Sequence, residues 1–132
     1  MTKVIIIDDE EDIRIGLRET FARAGFEVEV ASNGKEGMNL LRQHGADLVI
    51  TDIIMPGSDG VETAHQIRKE FPETKIIVIS GGGNAAALGY EPAAITTTAY
   101  LASAAAIGAD LTLTKPFDRK KLVEAAKELT AH

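Results

Sequence analysis

The stretch Val4-Ile5-Ile6-Ile7-Asp8-Asp9, near the start of the chain, is a short β-branched run that ends in two carboxylates. The same order, an apolar run that ends in a charged residue, recurs at Leu48-Val49-Ile50-Thr51-Asp52 and at Leu111-Thr112-Leu113-Thr114-Lys115. Short β-branched runs are typical of buried strands, and in a parallel sheet the carboxyl ends of the strands lie at one edge. The sequence therefore predicts that three carboxylates and one ammonium converge on a single shallow site.

Clustered carboxylates repel one another unless some of them protonate or a cation lies among them. A divalent metal removes this repulsion, and ligands that are all oxygen favour Mg2+ over Zn2+. Asp8, Asp9 and Asp52 therefore form a predicted magnesium site. Taken singly, Asp8 or Asp9 is equally consistent with an N-cap, and Lys115 with a solvated lysine. Three further acids are interpreted as belonging to the first turn of the next helix, namely Glu10, Glu11 and Asp12.

Length and composition limit the functional classes. The chain has 132 residues, which is enough for one domain with a buried core, and we expect a single domain over residues 1–132. The net charge of −6 argues against a nucleic-acid-binding surface, and the absence of cysteine excludes disulfides and thiolate metal sites. The first apolar run is too short for a signal peptide or a membrane span. We therefore expect a cytoplasmic protein with neither nucleic acid nor membrane as a partner.

Strand and helix patterns alternate five times along the chain. The runs interpreted as strands are Lys3–Ile7, Glu27–Ala31, Asp47–Thr51, Lys75–Ile79 and Asp110–Thr114. Apolar residues at helical spacing fill the segments between and after them. Five βα units predict an α/β fold, a five-stranded, parallel, doubly wound sheet with five helices on its two faces.

Several helix boundaries carry their own signals. Asn33 is a predicted N-cap, with Glu36 three residues later, and Asp118 is the predicted N-cap of the last helix. Gly25 and Gly45 are predicted helix stops.

The segment between the fourth and fifth predicted strands is about ten residues longer than a helix with two loops requires. The extra residues are expected between Gly81 and Thr98, and the fourth helix over residues 100–107. The run Gly81-Gly82-Gly83 lacks the spacing of a phosphate-binding loop, so a flexible loop is the preferred interpretation.

Four pieces of the sequence together resemble a response-regulator receiver domain of the stand-alone, chemotaxis-regulator type. Each stands at the end of a predicted strand: Asp8-Asp9, Asp52-Ile53-Ile54-Met55-Pro56-Gly57-Ser58-Asp59-Gly60, Ser80-Gly81 and Lys115-Pro116-Phe117. Each piece is weak alone, but four in this order form a specific signal that covers nearly the whole chain. The resemblance implies a flavodoxin-like sheet with strand order 2-1-3-4-5.

The resemblance also implies a phosphoacceptor. Asp52 would receive a phosphoryl group from a sensor histidine kinase or a histidine phosphotransfer protein. Asp9 and Asp52 would bind Mg2+ directly, Asp8 would bind it through a water molecule, and the Ile54 carbonyl would complete the protein ligands. A carboxylate can act as the nucleophile once the charge repulsion is screened.

The remaining site residues follow from the same resemblance. Lys115 would pair with one phosphoryl oxygen, the Ser80 hydroxyl would donate to another, and Pro116 would resemble the family's cis-proline. The chain departs from the family at Thr112, where an aromatic residue that moves on activation is usual. We therefore expect the response to be carried by residues 81–100.

The expected function is that of a phosphoacceptor response regulator of a two-component or phosphorelay system, with output by protein–protein contact to an unidentified target. It would catalyse only its own phosphorylation and dephosphorylation. One alternative is a magnesium-dependent aspartyl-phosphate phosphatase, although such enzymes carry a second acid where this chain has Ile54. The others are a pseudo-receiver and a receiver fragment of a larger regulator.

Overall fold

The computed structural model describes residues 2–52, 54–55, 58–80, 109–114 and 117–131. In chain order the elements are β1 (Lys3–Ile7), α1 (Glu11–Arg23), β2 (Glu27–Ala31), α2 (Gly34–His44), β3 (Leu48–Asp52), β4 (Ile54–Met55), β5 (Ser58–Asp59), α3 (Gly60–Glu70), β6 (Lys75–Ser80), β7 (Leu111–Thr114) and α4 (Arg119–Thr130).

The main sheet is parallel, and its strand order is β2-β1-β3-β6-β7. Numbered without the short strands β4 and β5, this is the predicted order 2-1-3-4-5, and the doubly wound α/β prediction is confirmed. Four helices lie within the described residues. The predicted fourth helix at residues 100–107 lies outside them, as does the stretch 81–98. No helix in the described ranges is both long enough and apolar enough to cross a membrane.

At the carboxyl edge of the sheet, where the site is predicted, two strands end later than predicted. β1 and β2 have the predicted bounds, whereas β3 runs one residue further, to Asp52, because Asp52 pairs with Ile79 of β6. β6 likewise continues to Ser80, which pairs with Thr114 of β7. Asp52 is thus the last residue of its strand and not the first residue after it, as the sequence had indicated.

Each face of the sheet has its own core. β1 contributes to both, since Ile5 and Ile7 face one side and Val4 and Ile6 the other, as alternation along a strand requires. On the first side the helices α2 and α3 contribute Met38, Leu41, Ala64 and Ile67. On the second side α1 and α4 contribute Leu17, Phe21, Leu122 and Ala126. A strand that is buried on both faces has a continuous apolar sequence, and this is why the sequence of β1 predicts that both of its faces are buried.

The two predicted N-caps, Asn33 and Asp118, are confirmed. Asn33 Oδ1 accepts a hydrogen bond of 2.8 Å from the Glu36 backbone N–H, and Asp118 Oδ1 accepts one of 2.9 Å from that of Lys120. Gly45, directly after α2, has a φ of 71°, a left-handed value that disfavours residues with a side chain.

Two aspartates tie the amino ends of neighbouring strands together. The Asp47 N–H donates to the Lys3 carbonyl at 2.9 Å, and Asp47 Oδ2 accepts from the Lys3 N–H at 2.9 Å. Asp110 repeats both contacts with Ile76, each at 2.8 Å. Both aspartates belong to the tetrapeptide Gly-Ala-Asp-Leu, which occurs twice in the sequence. These contacts fix the strand register at the edge opposite the predicted site.

Candidate functional site

The register of the sheet places Asp8 and Asp52 next to each other. β1 and β3 are parallel, and the last pair between them is Ile7 with Thr51. Asp8 directly follows Ile7, and Asp52 directly follows Thr51, so the two aspartates lie side by side at the carboxyl edge of the sheet. Both are almost completely buried, with 3% of Asp8 and 2% of Asp52 exposed. A buried carboxylate needs a hydrogen-bond partner or a cation, so this pair marks the edge as a functional site.

Four carboxylates meet at this edge of the sheet. They belong to Asp8, Asp9, Glu10 and Asp52, and each offers an oxygen that lies within 4.8 Å of the oxygens of the others. We refer to these four residues as the acidic cluster. The structure thus brings together the three carboxylates predicted to bind a metal, and it adds Glu10.

The prediction that Glu10 belongs to the first turn of a helix is wrong, because Glu10 lies before the helix. α1 begins at Glu11, and Glu10 precedes it with extended backbone angles, a φ of −87° and a ψ of 114°. Its side chain makes no capping hydrogen bond. The available signal was the run of five acids directly after β1, Asp8 to Asp12, whose third member still precedes the helix.

The conformation of Asp8 is fixed by three hydrogen bonds. Its N–H donates to the Ala31 carbonyl of β2 at 3.1 Å, and its Oδ1 accepts from the Glu10 N–H at 2.8 Å. Its carbonyl accepts a bond of 2.7 Å from Nη1 of Arg14. The N-cap position of α1 belongs to Glu10, so the alternative of Asp8 as the helix N-cap is wrong.

The acidic cluster suits a divalent cation. Two unit charges 4.8 Å apart repel by roughly 3–4 kcal/mol at an effective dielectric constant of about 20. Opposite ligands of an octahedral Mg2+ are about 4 Å apart, which is close to the spread of these oxygens. The donors are carboxylate oxygens, the type that Mg2+ prefers. The residues present therefore fit Mg2+.

The other predicted site residues lie on neighbouring strands. Ser80 ends β6, one residue beyond the Ile79 that pairs with Asp52. Ile54 begins the two-residue strand β4, which pairs with β5 and was not predicted. Lys115 follows Thr114, the last residue of β7, and both Lys115 and Pro116 lie outside the described residues.

Thr112, the departure from the family pattern, lies in the middle of β7. It pairs with Val78 of β6 and is half-buried. The expected response over residues 81–100 concerns a segment beyond the described ranges and stays a prediction.

A doubly wound parallel sheet with an acidic cluster at its carboxyl edge defines a narrow class of proteins. Residues 4–127 match the family model of the response regulator receiver domain. The chain belongs to this family, and it is a phosphoacceptor response regulator of two-component signalling.

Solved structures agree with this assignment. A response regulator receiver domain protein from Clostridium thermocellum is 26% identical with a TM-score of 0.82, and the match covers 98% of this chain and 94% of that one. The chemotaxis response regulator CheY4 of Vibrio cholerae is 27% identical with a TM-score of 0.80, and the match covers 98% of both chains. NtrX from Brucella abortus, in complex with ADP, is 27% identical with a TM-score of 0.81 over 98% of this chain, which corresponds to 27% of NtrX. The fold therefore resembles both a chemotaxis regulator of similar length and one part of a longer regulator.

Proposed function

We propose that Asp52 is the residue that accepts the phosphoryl group, within a single receiver domain over residues 1–132 that acts in the cytoplasm. The observation that carries this proposal is the buried position of Asp52 at the end of β3, with its carboxylate inside the acidic cluster. The donor is a sensor histidine kinase or a histidine phosphotransfer protein. The output is a contact with another protein.

The acidic cluster holds Mg2+ in this proposal. Asp9 and Asp52 are direct ligands, Asp8 acts through a water molecule, and the Ile54 carbonyl is the remaining protein ligand. When bound, Mg2+ neutralises the charge shared by Asp52 and the incoming phosphoryl group. The closeness of the Asp8, Asp9 and Asp52 carboxylates supports this ligand set.

The transfer step requires positioning more than covalent chemistry. An Asp52 carboxylate oxygen forms a bond to phosphorus as the bond from phosphorus to the donor's histidine nitrogen breaks, and the electron pair of that bond returns to the imidazole. Lys115 pairs with one phosphoryl oxygen, and the Ser80 hydroxyl donates to another. The position of Ser80 at the end of β6, beside the strand that carries Asp52, supports its part.

The protein is a signalling regulator and not a general phosphatase in this proposal. A phosphatase that uses an aspartyl phosphate needs a second acid two residues after the nucleophile, and this chain has Ile54 there. The only catalysis that we propose is self-phosphorylation and self-dephosphorylation.

One experiment separates the two functions. The protein is incubated with acetyl phosphate and Mg2+, and in parallel with p-nitrophenyl phosphate, and both label and turnover are measured. A response regulator takes up at most one phosphoryl group per molecule from acetyl phosphate and releases no significant p-nitrophenol. Sustained, multiple turnover of the ester that depends on Asp52 would instead identify a phosphatase.

A further inference from the structure

Arg14 is hydrogen-bonded to both ends of the turn from Asp8 to Glu10, which carries three members of the acidic cluster. Its side chain reaches back from the first turns of α1, and Nη1 donates to the Asp8 carbonyl at 2.7 Å. Its backbone N–H donates to the Glu10 carbonyl at 3.0 Å. Since Asp8 Oδ1 also accepts from the Glu10 N–H at 2.8 Å, the three residues form a closed hydrogen-bond network.

This network restrains the residue between its ends. Asp9 lies between Asp8 and Glu10, so fixing the backbone at both neighbours limits where the Asp9 carboxylate can point. The turn also connects β1 to α1, and α1 in turn is anchored by the buried residues Leu17 and Phe21. Arg14 therefore transmits the rigidity of the helix to the cluster.

The contact that Arg14 makes is suited to a site that receives a metal. The guanidinium donates to a backbone carbonyl, and this bond does not occupy a carboxylate oxygen of Asp8. A hydrogen bond from a charged donor is stronger and shorter than a neutral one, and the distance of 2.7 Å agrees with that. Charge alone acts in the opposite direction, since a positive group near the cluster repels an incoming cation.

We infer that Arg14 is a positioning residue for the divalent cation: it holds the turn from Asp8 to Glu10 so that the carboxylates are preorganised for binding. This inference rests on the proposed magnesium site. It assigns to Arg14 a net favourable effect on cation affinity, although its charge is unfavourable.

Arg18 is the matched control. It lies one turn further along α1, and Arg14 and Arg18 line the same shallow recess of about 210 Å³ beside β2. Within the described residues the side chain of Arg18 makes no hydrogen bond or ion pair. Replacing either arginine by methionine removes one positive charge and keeps an unbranched apolar side chain, but only the change at Arg14 removes a contact to the turn.

The test measures Mn2+ binding by electron paramagnetic resonance and Mg2+ binding by calorimetry, at a temperature where circular dichroism shows every variant to be folded. Arg14→Met is expected to weaken both affinities by about three- to ten-fold, and Arg18→Met is expected to leave them unchanged or slightly increase them. Arg14→Lys keeps the charge and one donor and is expected to recover part of the loss. Loss of folding alone does not produce this pattern, because affinity is measured on folded protein.

The results separate this inference from the proposed function. If the wild type binds Mg2+ and Arg14→Met binds it as tightly as Arg18→Met does, the role of Arg14 is wrong and the magnesium site stands. If the wild type binds no divalent cation at millimolar concentrations, the magnesium site itself is wrong. If Arg14→Met is unfolded, Arg14→Gln and Arg14→Lys are compared with Arg18→Gln and Arg18→Lys, and equal affinities within each pair contradict the inference.

Discussion

Asp8 and Asp52 are neighbours at the carboxyl ends of β1 and β3, one residue beyond the paired residues Ile7 and Thr51, and both are almost completely buried. Their proximity follows from strand register and not from sequence distance. It places two negative charges where water cannot fully screen them. The metal-free protein therefore keeps a local repulsion that a cation or the loss of one charge can remove.

The first prediction concerns this repulsion. Asp52→Asn removes one charge at nearly constant shape, so in metal-free buffer it should raise the free energy of unfolding by about 1–2 kcal/mol. The gain should shrink as Mg2+ is added, because Mg2+ stabilises the wild type more than the variant. Denaturant unfolding with EDTA, and again with 10 mM Mg2+, measures both effects.

Glu73→Gln is the control for this prediction, because Glu73 is exposed and far from the cluster in sequence. It changes the net charge by the same amount and should leave the stability within about 0.5 kcal/mol of wild type. If Asp52→Asn is less stable than wild type in EDTA, repulsion among the carboxylates of the acidic cluster does not destabilise the metal-free protein.

The second prediction contrasts two glycines in helices. A Cβ at Gly37 of α2 would collide with the side chain of Ile7, which is fully buried. The atoms nearest to a Cβ at Gly16 of α1 would be those of the guanidinium of Arg119, which is exposed and can move away. Gly37→Ala should therefore destabilise the fold by about 1–3 kcal/mol, and Gly16→Ala should stabilise it by about 0.5–1 kcal/mol.

Thermal and denaturant unfolding of the two alanine variants measure the difference in sign. Equal effects of the two substitutions would mean that helix propensity, and not the contact with Ile7, decides the outcome at Gly37. Because Ile7 directly precedes Asp8, Gly37→Ala should also weaken Mg2+ binding, whereas Gly16→Ala should not.

The third prediction concerns acid stability. Burial raises the pKa of Glu29 in β2, but hydrogen bonds from Lys3 and His44 lower it by more, so its net pKa lies below the ordinary value of 4.5. A carboxyl whose pKa is lowered on folding contributes stability above its unfolded pKa and loses that contribution as the pH falls through the folded pKa. Glu29→Gln should therefore flatten the loss of stability on acidification below about pH 4.5.

Glu27 provides the comparison, because it is exposed, stands two residues earlier on the same strand and has no ion pair in the described part of the chain. The free energy of unfolding is measured from pH 6 to pH 3 for wild type, Glu29→Gln and Glu27→Gln. If the free energy of unfolding falls equally steeply with decreasing pH in the two variants, Glu29 is not one of the groups that govern acid unfolding.

Much of the fold follows from the sequence because β1 is a continuous apolar run, as a strand buried on both faces requires, and the edge strand β2 alternates polar and apolar residues. β1 and β2 have the predicted bounds, and Asn33 and Asp118 cap helices as predicted. The end of β3 was placed one residue short, since pairing of Asp52 with Ile79 depends on the neighbouring strand and not on local preference.

The features that the sequence did not predict are local contacts without a periodic signal. The strands β4 and β5 have two residues each, too few for any pattern of alternation. The sequence around Glu10 is that of any acid near the start of a helix, and only the structure shows that its carboxylate lies beside those of Asp8, Asp9 and Asp52. The hydrogen bond from Arg14 to the Asp8 carbonyl joins a side chain to a backbone atom six residues earlier, and no pattern of residue types indicates it.

The most direct test of the central claim is to locate the phosphoryl group by mass spectrometry after treatment with acetyl phosphate and Mg2+. Wild type, Asp52→Asn and Asp12→Asn are compared with and without EDTA; Asp12 is an exposed acid of the first turn of α1, outside the acidic cluster. We predict one phosphoryl group on Asp52 in wild type and in Asp12→Asn, none in Asp52→Asn, and none in any protein with EDTA. Labelling of Asp52→Asn at the wild-type rate, or a label on a different residue of the wild type, would contradict the assignment of Asp52 as the phosphoacceptor.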